Sequence, residues 1–249
     1  MSTVSPRQCD GNESASLRSR ALPTTSVLDL LAEQPRCANV ELWFGFSKVS
    51  QRPPNKPCHH PRQLILRKSV PEMLYTALTT PVVTVLDTLA VEFKPPFASD
   101  FSLFASLRHL RLHLPYAPYK ETHNIYKWRQ GLYGEMHTAL RSLPSTVKRF
   151  SLVRPRNWSY NFFLFGRLEL VQALPNSLEQ LDYDGFANPD QLDNLLRSLT
   201  HGRLRTLGLR THGLGNSVQL ADWCAQHGYA LQEFDGLLFD IPFLFWMSR

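Results

Sequence analysis

This chain has little of what marks an exported, membrane-spanning or disulfide-stabilised protein. Its 249 residues include four cysteines, which are too far apart to form the paired clusters of a disulfide framework or a zinc ribbon. No run of about 18 to 20 apolar residues is present, and the first 25 residues lack the apolar core of a secretory signal. The sequence therefore predicts a soluble intracellular protein, cytoplasmic or nuclear, with reduced thiols and no membrane span.

Sequence signatures of catalysis are also missing. The chain has no Gly-x-Ser-x-Gly elbow and no Gly-x-x-x-x-Gly-Lys phosphate loop, and Gly213-x-Gly215 lacks the third glycine of a dinucleotide turn. Cys58, His59 and His60 are potential metal ligands, but they stand in a proline-rich stretch that favours a loop. We therefore predict a protein that is not an enzyme and that holds no cofactor and no metal.

The charges are distributed unevenly along the chain. The formal net charge is +6, yet residues 1–70 carry 10 Lys/Arg against 5 Asp/Glu, residues 71–155 carry 10 against 6, and residues 156–249 carry 7 against 10. A nucleic-acid-binding protein is usually basic throughout, so the acidic last third makes nucleic acid an improbable partner. The pattern predicts a molecule with a basic part and an acidic part.

What the chain does contain is a recurring strand motif, apolar-x-x-apolar-x-apolar. Its eight copies begin at Cys37, Pro61, Leu86, Leu107, Val147, Leu178, Leu204 and Leu231. Six of the seven intervals fall between 21 and 31 residues, near the spacing of about 20 to 29 residues of leucine-rich repeats. Helix-like patterns fall before or between these strands, at residues 26–33, 71–79, 134–143, 166–174, 189–199 and 216–227.

This alternation of strands and helices predicts an α/β fold. We expect a leucine-rich-repeat solenoid, with parallel strands on its concave face and helices on its convex face. Residues 1–25 are polar and predict a disordered tail, and residues 26–249 predict about eight irregular coils with an insertion near residues 115–130. An ordinary α/β domain with coincidental leucine spacing is the alternative.

The later units carry a family resemblance. They read LPSTVKRFSL from residue 143, LPNSLEQLDYDGF from residue 174 and GRLRTLGLRTHGL from residue 202. These segments resemble the irregular leucine-rich repeats of fungal F-box proteins, and the resemblance covers roughly residues 26–238. It implies substrate recognition for a cullin-type ubiquitin ligase. No F-box is recognisable before the first repeat, so we expect a stand-alone repeat protein or one that lacks the ligase-docking part.

A cationic patch is expected near the middle of the concave face. If the strands are in register, the patch contains His109, Arg111, His113 and Arg149 on two neighbouring strands. Guanidinium and imidazolium groups form charge-assisted hydrogen bonds with carboxylates and phosphates. The patch therefore predicts a site for an acidic or phosphorylated peptide, and the alternative is an ordinary solvated surface.

The insertion supplies a second candidate contact surface. Residues 115–130 place Tyr116, Tyr119, Tyr126 and Trp128 among lysine and arginine residues. Aromatic and arginine side chains are the usual anchors of protein interfaces, and a long loop beside the patch is a suitable place for them. The alternative is a loop that folds back on its own coil.

Together these features predict a non-enzymatic protein-interaction module that binds a protein or peptide through its concave face. The first alternative is a relative of F-box substrate receptors that contacts a ubiquitin-ligase adaptor through a separate partner. The second alternative is an accessory factor or enzyme of a metabolic pathway.

Overall fold

The computed structural model describes ten stretches of the chain. They are residues 14–18, 39–43, 62–67, 75–76, 79–93, 100–114, 122–153, 168–184, 203–209 and 217–234. The predicted helices at residues 26–33 and 189–199 lie outside these described residues. Within them, no helix is long and apolar enough to cross a membrane.

The described strands form one open parallel sheet. They are β1 (Ser14–Arg18), β2 (Asn39–Trp43), β3 (Gln63–Arg67), β4 (Thr88–Glu92), β5 (His109–His113), β6 (Arg149–Val153), β7 (Gln180–Asp184), β8 (Thr206–Leu209) and β9 (Ala230–Glu233). Their order in the sheet is their order in the sequence, and each strand pairs in parallel with the next. Parallel neighbours need a crossover between them, and helices occur in several of these crossovers. The predicted α/β class with parallel strands is therefore confirmed.

Four helical elements have defined bounds. They are a 3₁₀ helix at Thr80–Val82 and the helices α1 (Thr122–Arg141), α2 (Leu168–Gln172) and α3 (Ser217–Gln226). The last three overlap the helices predicted at residues 134–143, 166–174 and 216–227. Each precedes a strand, as the alternation in the sequence predicts.

The core lies on one face of the sheet. Leu110 and Leu112 of β5 are fully buried, as are Phe150 and Leu152, their register partners on β6. Buried apolar residues of the helices, among them Met136 of α1, belong to the same core cluster. Each large apolar side chain buried in this way contributes about 1.5 to 3 kcal/mol to the free energy of unfolding. The helices therefore cover the apolar face of the sheet.

The turns before the strands are joined by backbone hydrogen bonds. The amide of Lys148 donates to the carbonyl of Arg108 at 2.8 Å, and the amide of Glu179 donates to the carbonyl of Lys148 at 2.7 Å. The amide of Arg205 continues the series by donating to the carbonyl of Glu179 at 2.9 Å. These bonds hold the charged residues before β6, β7 and β8 side by side.

Within the predicted disordered tail, Ser14–Arg18 forms β1, which pairs with β2. The segment contains one large apolar residue, Leu17, and its backbone amides and carbonyls pair with a neighbouring strand. Composition predicts disorder here because it does not register backbone pairing along a sheet edge. The division into a tail at residues 1–25 and repeats at residues 26–249 stays a prediction.

Two expectations are corrected near the insertion and the last strand. Helix α1 begins at Thr122, so the second half of the predicted 115–130 loop is helical. In the last strand, Leu231 pairs with Leu207 and is the second apolar position of its motif, whereas the sequence motif makes it the first. Gly228, with a φ of 75°, follows α3 and lets the strand begin two residues later.

Candidate functional site

The face opposite the core carries the candidate site. We call it the polar face and define it by His109, Arg111 and His113 of β5 together with their register partners on the other strands. His109 lies beside Arg149 of β6, and Arg111 lies beside Ser151. All four residues of the predicted cationic patch therefore lie on the polar face of two neighbouring strands, with Arg149 directly beside His109.

The middle row of the polar face is buried. It runs through Ala90, Arg111, Ser151, Asp182 and Gly208 on five successive strands. Ser151 is 0% exposed and Asp182 is 1% exposed, although a solvated surface is the simplest expectation for this row. Strands lie about 4.8 Å apart, so side chains in one row cover and hydrogen-bond each other.

The buried carboxylate of Asp182 collects three hydrogen bonds. Arg149 Nε donates to its Oδ2 at 2.6 Å, and Ser151 Oγ donates to the same oxygen at 2.7 Å. Gln180 Nε2 donates to Oδ1, also at 2.7 Å. We call these residues, with His109, the Asp182 network. A buried charge is tolerated when it is paired and hydrogen-bonded in this manner.

His109 completes the network as a neutral side chain. Its Nε2 lies 3.0 Å from Ser151 Oγ, and burial lowers its pKa to about 4, with nearby Arg149 adding to the effect and Asp182 opposing it. Because the single hydroxyl proton of Ser151 is donated to Asp182, the imidazole must donate its Nε2 proton to the hydroxyl oxygen. The order Asp-Ser-His is therefore not that of a hydrolase triad, in which the histidine accepts the serine proton.

Gly208 leaves space for the Asp182 carboxylate. A Cβ atom at position 208 would lie 2.1 Å from Asp182 Oδ1 and 2.9 Å from its Cγ. Such distances are far below van der Waals contact, so any side chain here would displace the carboxylate. The glycine is needed for close approach at this position.

Sequence comparison adds no precedent for this site. No family model, no curated protein and no solved structure matches this chain.

An open groove adjoins the network at the amino-terminal ends of β6, β7 and β8. It has a volume of about 470 Å³. We call it the basic groove, and it is lined by Lys148, Arg149, Glu179, Gln180, Arg203, Arg205 and Thr206. Lys148 Nζ is paired with Glu179 Oε1 at 2.7 Å. The hydrogen bond from Lys148, with the charges of Lys148 and Arg203, lowers the pKa of the Glu179 carboxyl.

The remaining predicted site residues are not brought into this arrangement. His113 lies at the other end of β5, beside Val153. Tyr116 and Tyr119 lie outside the described residues, and Tyr126 and Trp128 lie in α1 with side chains that are not described. Cys58, His59 and His60 are also outside the described residues, within which no group of His, Cys, Asp and Glu is arranged to hold a metal.

Several residues of the site escape the sequence analysis. Asp182 reads as part of a separate acidic run, although the motif register places it one strand away from Ser151. Arg203 and Arg205 lie before the motif positions that define the face, so they are not read as part of it. One signal in the sequence could have indicated the groove: a charged residue immediately precedes each of four successive strands. These residues are Arg108, Lys148, Glu179 and Arg205.

Proposed function

We propose that this chain is a non-enzymatic interaction module of the leucine-rich-repeat type that binds a protein or peptide through its polar face. The proposed contact region includes His109, Arg111, His113 and Arg149. The observation that carries the proposal is the division of one parallel sheet into an apolar face covered by helices and a polar face whose side chains are held by the Asp182 network.

Fixed side chains favour binding because less conformational entropy is lost when a partner arrives. Arg149 is held through Nε by Asp182, yet its side chain is 41% exposed. Its two terminal amino groups make no hydrogen bond to another described residue and can donate to an acceptor on a partner. The half-buried first positions of β7 and β8, Gln180 and Thr206, extend the same surface.

The arrangement of Ser151 supports a binding role rather than hydrolysis. Its hydroxyl is fully buried, where a substrate has no access to it, and it donates to Asp182 and not to the imidazole of His109. This geometry favours a network that orients side chains on the face.

Affinity purification with the full chain tests the proposal. Thr88→Arg combined with Gln232→Arg adds two bulky charged side chains at distant strands of the polar face. Neither residue bonds Asp182, and the only contact with a described residue of the network that the double variant removes is the long hydrogen bond of 3.3 Å from Gln180 Nε2 to Gln232 Oε1. Val218→Arg makes the same change on α3, where the side chain is 70% exposed. We expect a partner that is recovered by the wild type and by Val218→Arg and that is lost from the double variant.

Two results would contradict the proposal. Equal recovery of the same partners by all three proteins would place binding elsewhere on the molecule. Recovery of no specific partner by the folded wild type would remove the basis for an interaction module.

A further inference from the structure

We propose that the basic groove binds the phosphate group of a phosphorylated serine or threonine on the partner. The inference rests on the proposed function, since it names the chemistry that the polar face recognises. It depends on the charges that meet at the amino-terminal ends of β6, β7 and β8.

The groove brings together more positive charge than one carboxylate neutralises. Among the described residues, four cationic side chains line it and two carboxylates pair with them, Glu179 in the groove and Asp182 beneath Arg149, so these six side chains carry a net charge of +2. A phosphate monoester carries about −1.5 to −2 at neutral pH, whereas a glutamate carries −1. The charge therefore matches a phosphate better than a single acidic residue.

The donors also have suitable chemistry. Arg149, Arg203 and Arg205 supply guanidinium groups, which pair with phosphate oxygens through two parallel hydrogen bonds. Arg149 is the positioned member, because its Nε is fixed on Asp182 while its terminal amino groups project from the network. Thr206 adds a hydroxyl group to the lining.

The position of the groove favours a residue on a peptide over a free ion. Arg149, Gln180 and Thr206 belong to both the groove and the polar face, so a phosphorylated side chain in the groove leaves its backbone running over that face.

The test uses three capped tripeptides that differ in the central residue. Ac-Gly-pSer-Gly-NH₂, Ac-Gly-Glu-Gly-NH₂ and Ac-Gly-Ser-Gly-NH₂ are titrated into the ¹⁵N-labelled full chain at low salt, and amide shifts are followed by NMR. We expect saturable shifts near residues 148–149, 179–180 and 203–206 with a Kd of about 1 mM or tighter for the phosphopeptide. We expect affinity about tenfold weaker or worse for the glutamate peptide, and no saturable shifts with the serine peptide.

Variants of exposed residues locate the effect. Arg203→Glu combined with Arg205→Glu should remove saturable binding, because it reverses two charges of the groove without touching the Asp182 network. Arg108→Glu is the matched control: Arg108 immediately precedes β5, its side chain is 71% exposed, and it lies outside the groove lining. Its phosphopeptide affinity should change by less than about threefold, as expected for a screened surface charge.

Several outcomes would overturn the inference. One is the absence of saturable shifts with the phosphopeptide, and another is equal affinity for the phosphopeptide and the glutamate peptide. Equal losses in the Arg108 control and the groove variant would indicate unspecific attraction. Tighter binding of single-stranded RNA or of phosphatidylserine vesicles at the same amides would assign the groove to another class of ligand. If the face variants still lose a captured partner, the proposed function survives any of these results.

Discussion

Substitution of Gly208 by alanine should damage the fold in a way that an alanine at another glycine does not. The new Cβ would lie 2.1 Å from Asp182 Oδ1, so the carboxylate must move by about 1 Å to reach van der Waals contact. That movement strains the hydrogen bond from Gln180 Nε2, which is 2.7 Å long and ends on the same oxygen.

The size of the effect follows from three contributions. Overpacking costs about 1 to 3 kcal/mol. Weakening a hydrogen bond to a charged group costs about 1.5 to 3 kcal/mol. Replacing glycine restricts the unfolded chain and returns about 0.4 to 1 kcal/mol. We therefore expect Gly208→Ala to lower the free energy of unfolding by about 3 kcal/mol.

Urea unfolding followed by circular dichroism and tryptophan fluorescence measures this difference. Gly134→Ala in α1 is the matched control, because its Cβ meets nothing within 4 Å. It should raise the free energy of unfolding by about 0.5 to 1 kcal/mol. The comparison is repeated in an Asp182→Ala background, where the contact is absent and most of the cost of Gly208→Ala should disappear.

The reasoning would be refuted if Gly208→Ala were neutral or stabilising in the wild-type background. It would also be refuted if the cost were the same with and without Asp182, since the contact between the two positions would then carry no energy.

Three other predictions concern the network and the core. His109 has a pKa of about 4 in the folded chain and an ordinary value of 6.5 in the unfolded chain, so between these pH values only the unfolded chain binds the proton. The free energy of unfolding should therefore fall as the pH is lowered from 6.5 to 4, by at most about 3 kcal/mol more than in His109→Gln. Ser151→Ala removes a buried donor to Asp182 and should cost about 1 to 3 kcal/mol in urea unfolding at pH 7. Burial raises the pKa of the Cys224 thiol to about 11, so this thiol should react with a disulfide reagent at pH 8 about a hundredfold more slowly than in urea.

Each of these has a result that would count against it. An imidazole of His109 that titrates near its ordinary pKa in NMR spectra would show that it is not buried beside the arginines. Equal unfolding midpoints for Ser151→Ala and the wild type would remove the hydroxyl from the network. For Cys224, the measurement uses a variant that retains it as the single cysteine, and rapid modification of the folded chain would contradict its burial.

The repeated apolar spacing is sufficient to predict most of the sheet. The motif copies from Val40 to Leu209 coincide with β2 to β8, because leucines at alternate strand positions must face the core. The motif places the last strand too late because Leu231 and Phe234 match its first two apolar positions, whereas β9 begins at Ala230, two residues after the positive φ of Gly228. Whether these units are leucine-rich repeats stays a prediction.

The candidate site was less accessible to sequence reasoning. The sequence places Arg149 and Asp182 in separate basic and acidic regions because they are 33 residues apart, yet parallel pairing brings Arg149 Nε within 2.6 Å of Asp182 Oδ2. The need for glycine at position 208 is also not predictable from the sequence, since a single glycine in a strand has many causes and this one is explained by the nearby Asp182 carboxylate. Both features depend on distances between side chains on neighbouring strands, whereas the sequence pattern gives only the positions within each strand.

The sequential order of the strands has a consequence for how the chain folds. Paired residues are separated by as few as 21 positions, from Leu89 to Leu110, and by no more than 40, from Leu110 to Phe150. Relative to the 249 residues of the chain, the typical contact between strands spans about one tenth of the length, a value more usual for helical bundles than for sheets. A long parallel sheet is commonly slow to form, but this one can assemble by adding each strand to the one just made, and it can lose an end strand while the centre stays intact.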